Sequence, residues 1–137
     1  MKQRVLILCT GNSARSQMAE GWLRHLAGDR FEVASAGTHP SSVNPLAIEA
    51  MRERGVDISA HRSKSVQEFV SQPFDYVITV CDDAAEACPV FPGPAQRIHW
   101  SFPDPAAVQG SHEERLAAFQ QVRDALETHL RDWLAIS

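Results

Sequence analysis

The sequence predicts a single α/β domain with a parallel sheet. Short β-rich apolar runs alternate with helical patterns along the chain, which is the signature of strands joined by helical crossovers. No repeat, low-complexity tract or linker interrupts the alternation, and 137 residues is an ordinary size for one domain. A chain this long buries about two thirds of its unfolded surface, so its core needs no staples. A hydrophobic fraction of 44% with 22% charged residues excludes disordered, collagen-like and coiled-coil classes. The net charge of −4 gives the molecule no overall attraction for nucleic acid or an anionic membrane.

The elements follow in order. Val5-Leu6-Ile7-Leu8 reads as a strand buried on both faces. Thr10 to Ser13 form a turn, and Met18, Trp22 and Leu26 mark one face of a helix ending near Gly28. Phe31 to Ala34 read as the second strand. Asn44-Pro45 is a helix start, with Leu46, Ala47, Ala50 and Met51 as its stripe and Gly55 as its stop. Ser65 to Glu68 is a capping box opening a short helix that Pro73 ends. Tyr76 to Val80 form a third strand, followed by a short acidic segment from Asp82 to Cys88 that Pro89 cuts off. Arg97 to Trp100 fit a last strand between prolines. Ser111 to Glu114 repeat the capping-box spacing before a long helix carrying Leu116, Phe119, Val122, Leu126, Leu130 and Trp133. Its charges, and His25, His112 and His129, are expected to face solvent, whereas His99 and Trp100 are expected to pack, with lining the site as the alternative.

Three cysteines are an odd number and no disulfide framework. Met1 to Arg4 followed by Val5 to Leu8 resembles a leader only superficially. The apolar run is shorter than the ~7–15 residues of such a segment, and nothing approaches the ~20 apolar residues of a membrane span. A cytoplasmic monomer with reduced thiols is expected. In a parallel α/β sheet the ligand site lies at the carboxyl ends of the strands. Cys9 and Cys81 each end a strong strand.

Cys9-Thr10-Gly11-Asn12-Ser13-Ala14-Arg15-Ser16 joins the first strand to the first helix. Five residues between Cys9 and Arg15 let the backbone wrap into a cradle whose N–H groups converge where the helix dipole is positive. Gly11 and Asn12 are the residues best able to take the positive φ such wrapping needs. Arg15 supplies a two-pronged donor for a tetrahedral oxyanion, and the same positive surroundings favour Cys9 as a thiolate nucleophile. Ser16 can donate to that thiolate. Lys2, Arg4 and Arg15 all precede the first acidic residue, Glu20, in a chain that is acidic overall.

This loop, with Gln17-Met18-Ala19-Glu20-Gly21, resembles the low-molecular-weight protein tyrosine phosphatases, and more closely their thioredoxin-coupled arsenate reductase branch. The likeness continues through Asn44-Pro45 with Ala47 to Met51, Thr79-Val80-Cys81, Ala87-Cys88-Pro89, His99-Trp100 and Asp104-Pro105. It implies one domain over residues 1–137, built as three α/β/α layers around a central four-stranded parallel sheet with an anion-binding loop after the first strand. It also implies arsenate as substrate, phosphate or sulfate as loop-binding analogues and thioredoxin as reductant; for this chain neither cofactor nor metal is expected.

Cys81 and Cys88 are seven residues apart. In a helix that is about 10 Å along the axis, whereas a disulfide needs Cα atoms within about 7 Å, so the pair bridges only if the segment unwinds. A short acidic helix ended by proline is easily unwound. On local sequence alone, one buried and one incidental cysteine fits as well; zinc fits poorly, since the spacing is not that of a C-x2–4-C knuckle. The resemblance implies a relay. Cys9 attacks arsenate, Cys81 attacks the Cys9 sulfur and releases arsenite, and Cys88 then forms the final Cys81–Cys88 disulfide for thioredoxin to reduce. Asp104, between Pro103 and Pro105, is the candidate general acid for the oxygen expelled by Cys9; a turn-forming role is the alternative.

Departures from the resemblance sharpen it. Ala14 stands where many relatives carry a further cysteine. Some relatives hold potassium near positions matching Asn12, Glu20 and Ser35, with a carboxylate from the position of Lys64. Here Lys64 brings a cation, so no potassium site is expected and the ammonium is expected to take the ion's role. A phosphatase is the closest competitor, with weak side activity expected from the shared loop. However, Ala106-Ala107 follow Pro105 where phosphotyrosine phosphatases carry aromatic walls. An arsenite sensor would need a basic DNA-reading helix, and none is visible.

Overall fold

In the computed structural model, which describes residues 2–136, the first apolar run becomes strand β1 (Gln3–Cys9). Met1, part of the run weighed as a leader, and Ser137 lie outside the described residues. Val5 to Leu8 are completely buried, as a strand covered on both faces requires. The loop then feeds α1 (Arg15–Ala27), and β2 (Phe31–Gly37) runs three residues beyond the predicted strand, ending beside the loop. Asn44 caps α2 (Pro45–Arg52) by accepting from the Leu46 N–H, and Gly55 ends the following turn at φ 76°. The Ser65 helix is only a 3-10 turn (Val66–Glu68), with Ser65 accepting from the Gln67 N–H. There follow β3 (Tyr76–Thr79), the five-residue α3 (Asp82–Glu86), β4 (Gln96–His99), a 3-10 turn (Pro105–Ala107) and the 25-residue α4 (His112–Ile136). The capping box before α4 forms in both directions between Ser111 and Glu114.

All four strands are parallel, in the order β2-β1-β3-β4. From β1 the chain steps one way to β2, and from β3 it steps the other way to β4. Right-handed crossovers therefore put α1 and α3 on opposite faces. The carboxyl ends of β1 and β3, where the direction reverses, form the topological switch point at which such sheets bind ligands. Leu8 pairs with Thr79 across that junction, so Cys9 comes one residue and Cys81 two residues past the last pair, at the same end of neighbouring strands.

Packing corrects several expectations. Arg123 of α4 is buried rather than solvated: its guanidinium donates to the Ala50 carbonyl near the end of α2 and to Glu53, while its own carbonyl accepts from the Trp22 indole. His129 is exposed but lays its ring against Phe102 and Trp100, and Trp100 packs on Trp133 as expected. His99 does not pack; it is exposed and hydrogen-bonded at both ring nitrogens. His25 and His112 are exposed, the latter 3.3 Å from Glu49. Among the described residues no helix is long and apolar enough to cross a membrane.

Candidate active site

The loop after β1 is held open by its own carbonyls. The carbonyl of Cys9 accepts from the Thr38 N–H, that of Thr10 from His39, that of Gly11 from Ser41 and the Ser63 hydroxyl, and that of Ser13 from Asn44. The Asn12 carbonyl accepts from the Gln17 side chain. With these acceptors tied to surrounding segments, the N–H groups are left for the concave side, which is what an anion needs. Ala14 stands at the N-cap of α1 and offers no capping side chain, so the first N–H groups of that 13-residue helix join the cradle.

Of the two residues expected to take positive φ, only Asn12 does, at 45°. Gly11 does not need it; a side chain there would meet ordinary contacts. The glycine that the loop does require is Gly37, at the end of β2, where a Cβ would lie 2.5 Å from the Thr10 carbonyl oxygen and 2.8 Å from the Asn12 nitrogen. Sequence reasoning missed it because the demand comes from a distant segment. Asn12 pays for its conformation with a saturated amide. Its Nδ2 donates to the Ser16 and Ser35 hydroxyls, and its Oδ1 accepts from Gln17 and the Lys64 N–H.

Cys9 is 2% exposed at the floor of the cradle, with Ser16 Oγ 2.9 Å from its sulfur. Because Asn12 occupies an acceptor site of Ser16, the Ser16 proton is free to point at a Cys9 thiolate. Arg15 opens α1, and its Nη1 donates to the Phe102 carbonyl at 3.0 Å. This ties the Asp104 segment to the rim of the cradle. Asp104 itself is exposed, and its carboxylate caps the following 3-10 turn by accepting from the Ala106 N–H. Its turn-forming role is thus realised, two residues from the carbonyl that Arg15 holds.

Cys81 is 4% exposed at the N-cap of α3, and the Thr10 hydroxyl lies 3.4 Å from its sulfur, which links the second thiol to the cradle. Cys88 is half-buried beyond α3. Burial pushes its thiol up, and the Arg97 guanidinium pulls it partly back. The cysteines are all free, and α3 is wound between Cys81 and Cys88. An open groove of about 350 Å³ borders the cradle at Thr10 and is lined by Thr38, His39, Asp83 and Glu86.

Behind the loop a charged cluster surrounds the buried Glu20. Glu20 accepts from Ser35 and pairs with Arg24 at 2.9 Å, and the Lys64 ammonium lies 3.9 Å away while donating to the Arg62 carbonyl. Burial lowers both Lys64 and His61 from their ordinary values, and in each case Glu20 opposes the shift. Two cations already face the one carboxylate, so these residues do not fit a further potassium ion. Among the described residues no group of three or more His, Cys, Asp and Glu side chains is placed to hold a metal.

Comparison with known proteins agrees with this geometry. The low molecular weight phosphotyrosine protein phosphatase family matches over residues 4–136. An arsenate reductase of Bacillus subtilis is 46% identical over 129 residues, which is 94% of this chain and 93% of that protein. A solved arsenate reductase in the phosphate binding state superposes with a TM-score of 0.78 at 31% identity, covering 97% of each chain. A thioredoxin-dependent arsenate reductase of Corynebacterium glutamicum gives a TM-score of 0.76 at 33% identity, covering 98% of this chain and 62% of that one.

Proposed function

The chain belongs to the low molecular weight phosphotyrosine protein phosphatase family, and we propose that this arsenate reductase works by a three-thiol relay that draws its electrons from thioredoxin. The observation that carries the relay is that Cys9 and Cys81 follow neighbouring strands to the β1–β3 switch point, with the Thr10 hydroxyl 3.4 Å from the Cys81 sulfur and Cys88 one short helix away.

In the first step the cradle and Arg15 hold arsenate, and the Cys9 thiolate attacks arsenic, expelling an oxygen that takes its proton from Asp104. In the second, the Cys81 thiolate attacks the Cys9 sulfur. The S–As electron pair goes to arsenic, As(V) becomes As(III), arsenite leaves and a Cys9–Cys81 disulfide remains. In the third, the Cys88 thiolate attacks the Cys81 sulfur and Cys9 departs as a thiolate. The oxidation now sits in Cys81–Cys88, outside the recessed cradle. A thioredoxin dithiol reduces it by exchange. The reading places residues 1–137 in one catalytic unit that works as a cytoplasmic monomer, needs no cofactor, and takes phosphate or sulfate in the cradle as analogues.

The same cradle supports slow cleavage of an activated aryl phosphate, but a phosphotyrosine phosphatase reading lacks walls for the ring. The residues after Asp104-Pro105 are the exposed Ala106 and Ala107. The test is to treat wild type and Cys88→Ser with arsenate, without reductant, and map disulfides by mass spectrometry. The relay gives Cys81–Cys88 in wild type and trapped Cys9–Cys81 in the variant, with one arsenite released per protein. Oxidation that does not depend on arsenate would overturn it.

A further inference from the structure

Edge strand β4 presents Arg97 and His99 two residues apart, on one face of the sheet. Both reach the segment that carries the second and third thiols. Arg97 Nη2 donates to the Pro89 carbonyl at 2.8 Å, directly after Cys88. His99 Nε2 meets the Asp82 carboxylate at 3.0 Å, directly after Cys81, and its Nδ1 lies 2.7 Å from the Thr79 hydroxyl at the end of β3. Since the carboxylate only accepts, Nε2 carries the proton, and in the neutral ring Nδ1 accepts from Thr79. Between the two contacts lies a cavity of about 160 Å³ lined by Ala85, Cys88, Ile98 and the two side chains. Only Ala84 of α3 is buried, so the helix has little apolar anchorage of its own.

We propose that Arg97 and His99 form a two-point clasp that holds α3 wound while Cys81 and Cys88 are thiols, and that its release sets the redox poise of this pair. The inference rests on the relay reading and assigns both as positioning residues for it. A Cys81–Cys88 bond requires the two Cα atoms to close from the helical separation of about 10 Å to within about 7 Å. The residues next to each sulfur, Asp82 and Pro89, must then shift, and those are the two points that β4 grips. Each clasp contact belongs to the dithiol form and is broken or stretched in the disulfide form. The clasp therefore makes the disulfide easier to reduce. After thioredoxin has acted, it draws Cys81 back beside Thr10 for the next turnover.

The test separates the clasp from the relay by working in a Cys9→Ser background, where arsenate chemistry is not required. The protein is equilibrated in buffers of reduced and oxidised glutathione, in which the protein dithiol and one glutathione disulfide exchange to the protein disulfide and two glutathione thiols. The fraction of Cys81–Cys88 is read by alkylation and mass spectrometry. Arg97→Met combined with His99→Phe is expected to raise the equilibrium constant for disulfide formation about tenfold, which for this two-electron couple is about 30 mV more reducing. Arg97→Lys, which keeps a donor, and Asp82→Asn, which keeps an acceptor for His99, are expected to stay close to the parent. Asp82→Ala releases the helix end from its exposed side and is expected to shift the poise in the same direction as His99→Phe. A parent-like potential in the double variant and in Asp82→Ala, or a shift the other way, overturns the clasp while leaving the relay intact. A Cys81–Cys88 disulfide that forms in glutathione but never appears in wild type turning over arsenate overturns the relay instead. No such disulfide at any poise overturns both.

Discussion

Replacing Gly37 by alanine tests whether a missing side chain on β2 fixes the shape of the cradle. The new Cβ would fall 2.5 Å from the Thr10 carbonyl oxygen, 2.8 Å from the Asn12 nitrogen and 3.0 Å from Asn12 Cβ. Ordinary contact begins at 3.4 Å, so the Thr10 carbonyl must retreat by about 0.9 Å. No flexible side chain can yield instead, because two of these atoms are backbone and the third belongs to a fully buried asparagine with every amide position engaged. Overpacking of this kind costs about 1–3 kcal/mol, or about 3–10 °C in melting temperature for a domain of this size. Activity should suffer more, since misplacing reacting groups by about 1 Å costs on the order of 100-fold. The expected result is an arsenate kcat/KM about 100-fold lower, with phosphate inhibition weakened in parallel and a folded protein by circular dichroism. A Gly37→Ala protein with unchanged arsenate kinetics and phosphate affinity would refute the argument.

Asp104→Asn keeps an oxygen to cap the 3-10 turn but removes the proton donor, so kcat for arsenate should fall about 100-fold or more while the melting temperature holds; unchanged turnover would leave Asp104 a turn former only. Exchanging sodium for potassium at equal ionic strength should alter neither melting temperature nor turnover, because Arg24 and Lys64 already face Glu20; a potassium-specific rise above about 2 °C would contradict this. Burial holds His61 below its ordinary value of 6.5, so as pH falls the unfolded chain binds the proton first. The stability present above that pH is therefore lost as pH drops through the lowered folded value, and His61→Gln should flatten the urea midpoint between about pH 7 and pH 5.

What could be read from sequence was whatever depends on near neighbours. The Asn44-Pro45 start and the Ser111–Glu114 box are closed by residues within a turn or two, and both form; the strand–loop–helix unit from Val5 to Ser16 showed its order in local pattern, although distant segments hold its loop. The Ser65 box, equally local, forms its cap but yields one 3-10 turn, since only Val66 of that turn finds a place in the core. Longer-range demands were silent. Gly37 is fixed by a loop on another strand, and Arg123 is buried because the end of α2 offers it a carbonyl and a carboxylate. His99 shows the limit most clearly. Between Ile98 and Trp100 it reads as packing, yet its partners are a threonine on β3 and an aspartate on α3.

Under the proposed relay, phosphatase and reductase chemistry diverge after a shared first step, so the difference must lie in what reaches the covalent adduct next. In an ester-cleaving enzyme that is water. Here Cys9 is buried at the end of β1 and Cys81 follows the neighbouring strand, itself buried and touched by Thr10, and the relay requires this second sulfur to reach the adduct before solvent does. The two halves of the site also differ in stiffness. Every carbonyl from Cys9 to Ser13 is anchored to surrounding chain, whereas α3 has one buried side chain and two grips from an edge strand. A rigid cradle suits an anion whose geometry must not drift, and a loosely held segment suits a thiol that has to travel. The net charge of −4 bears on neither, because in the proposed relay the anion is met by backbone N–H groups, the start of α1 and Arg15, which act locally rather than through the overall field.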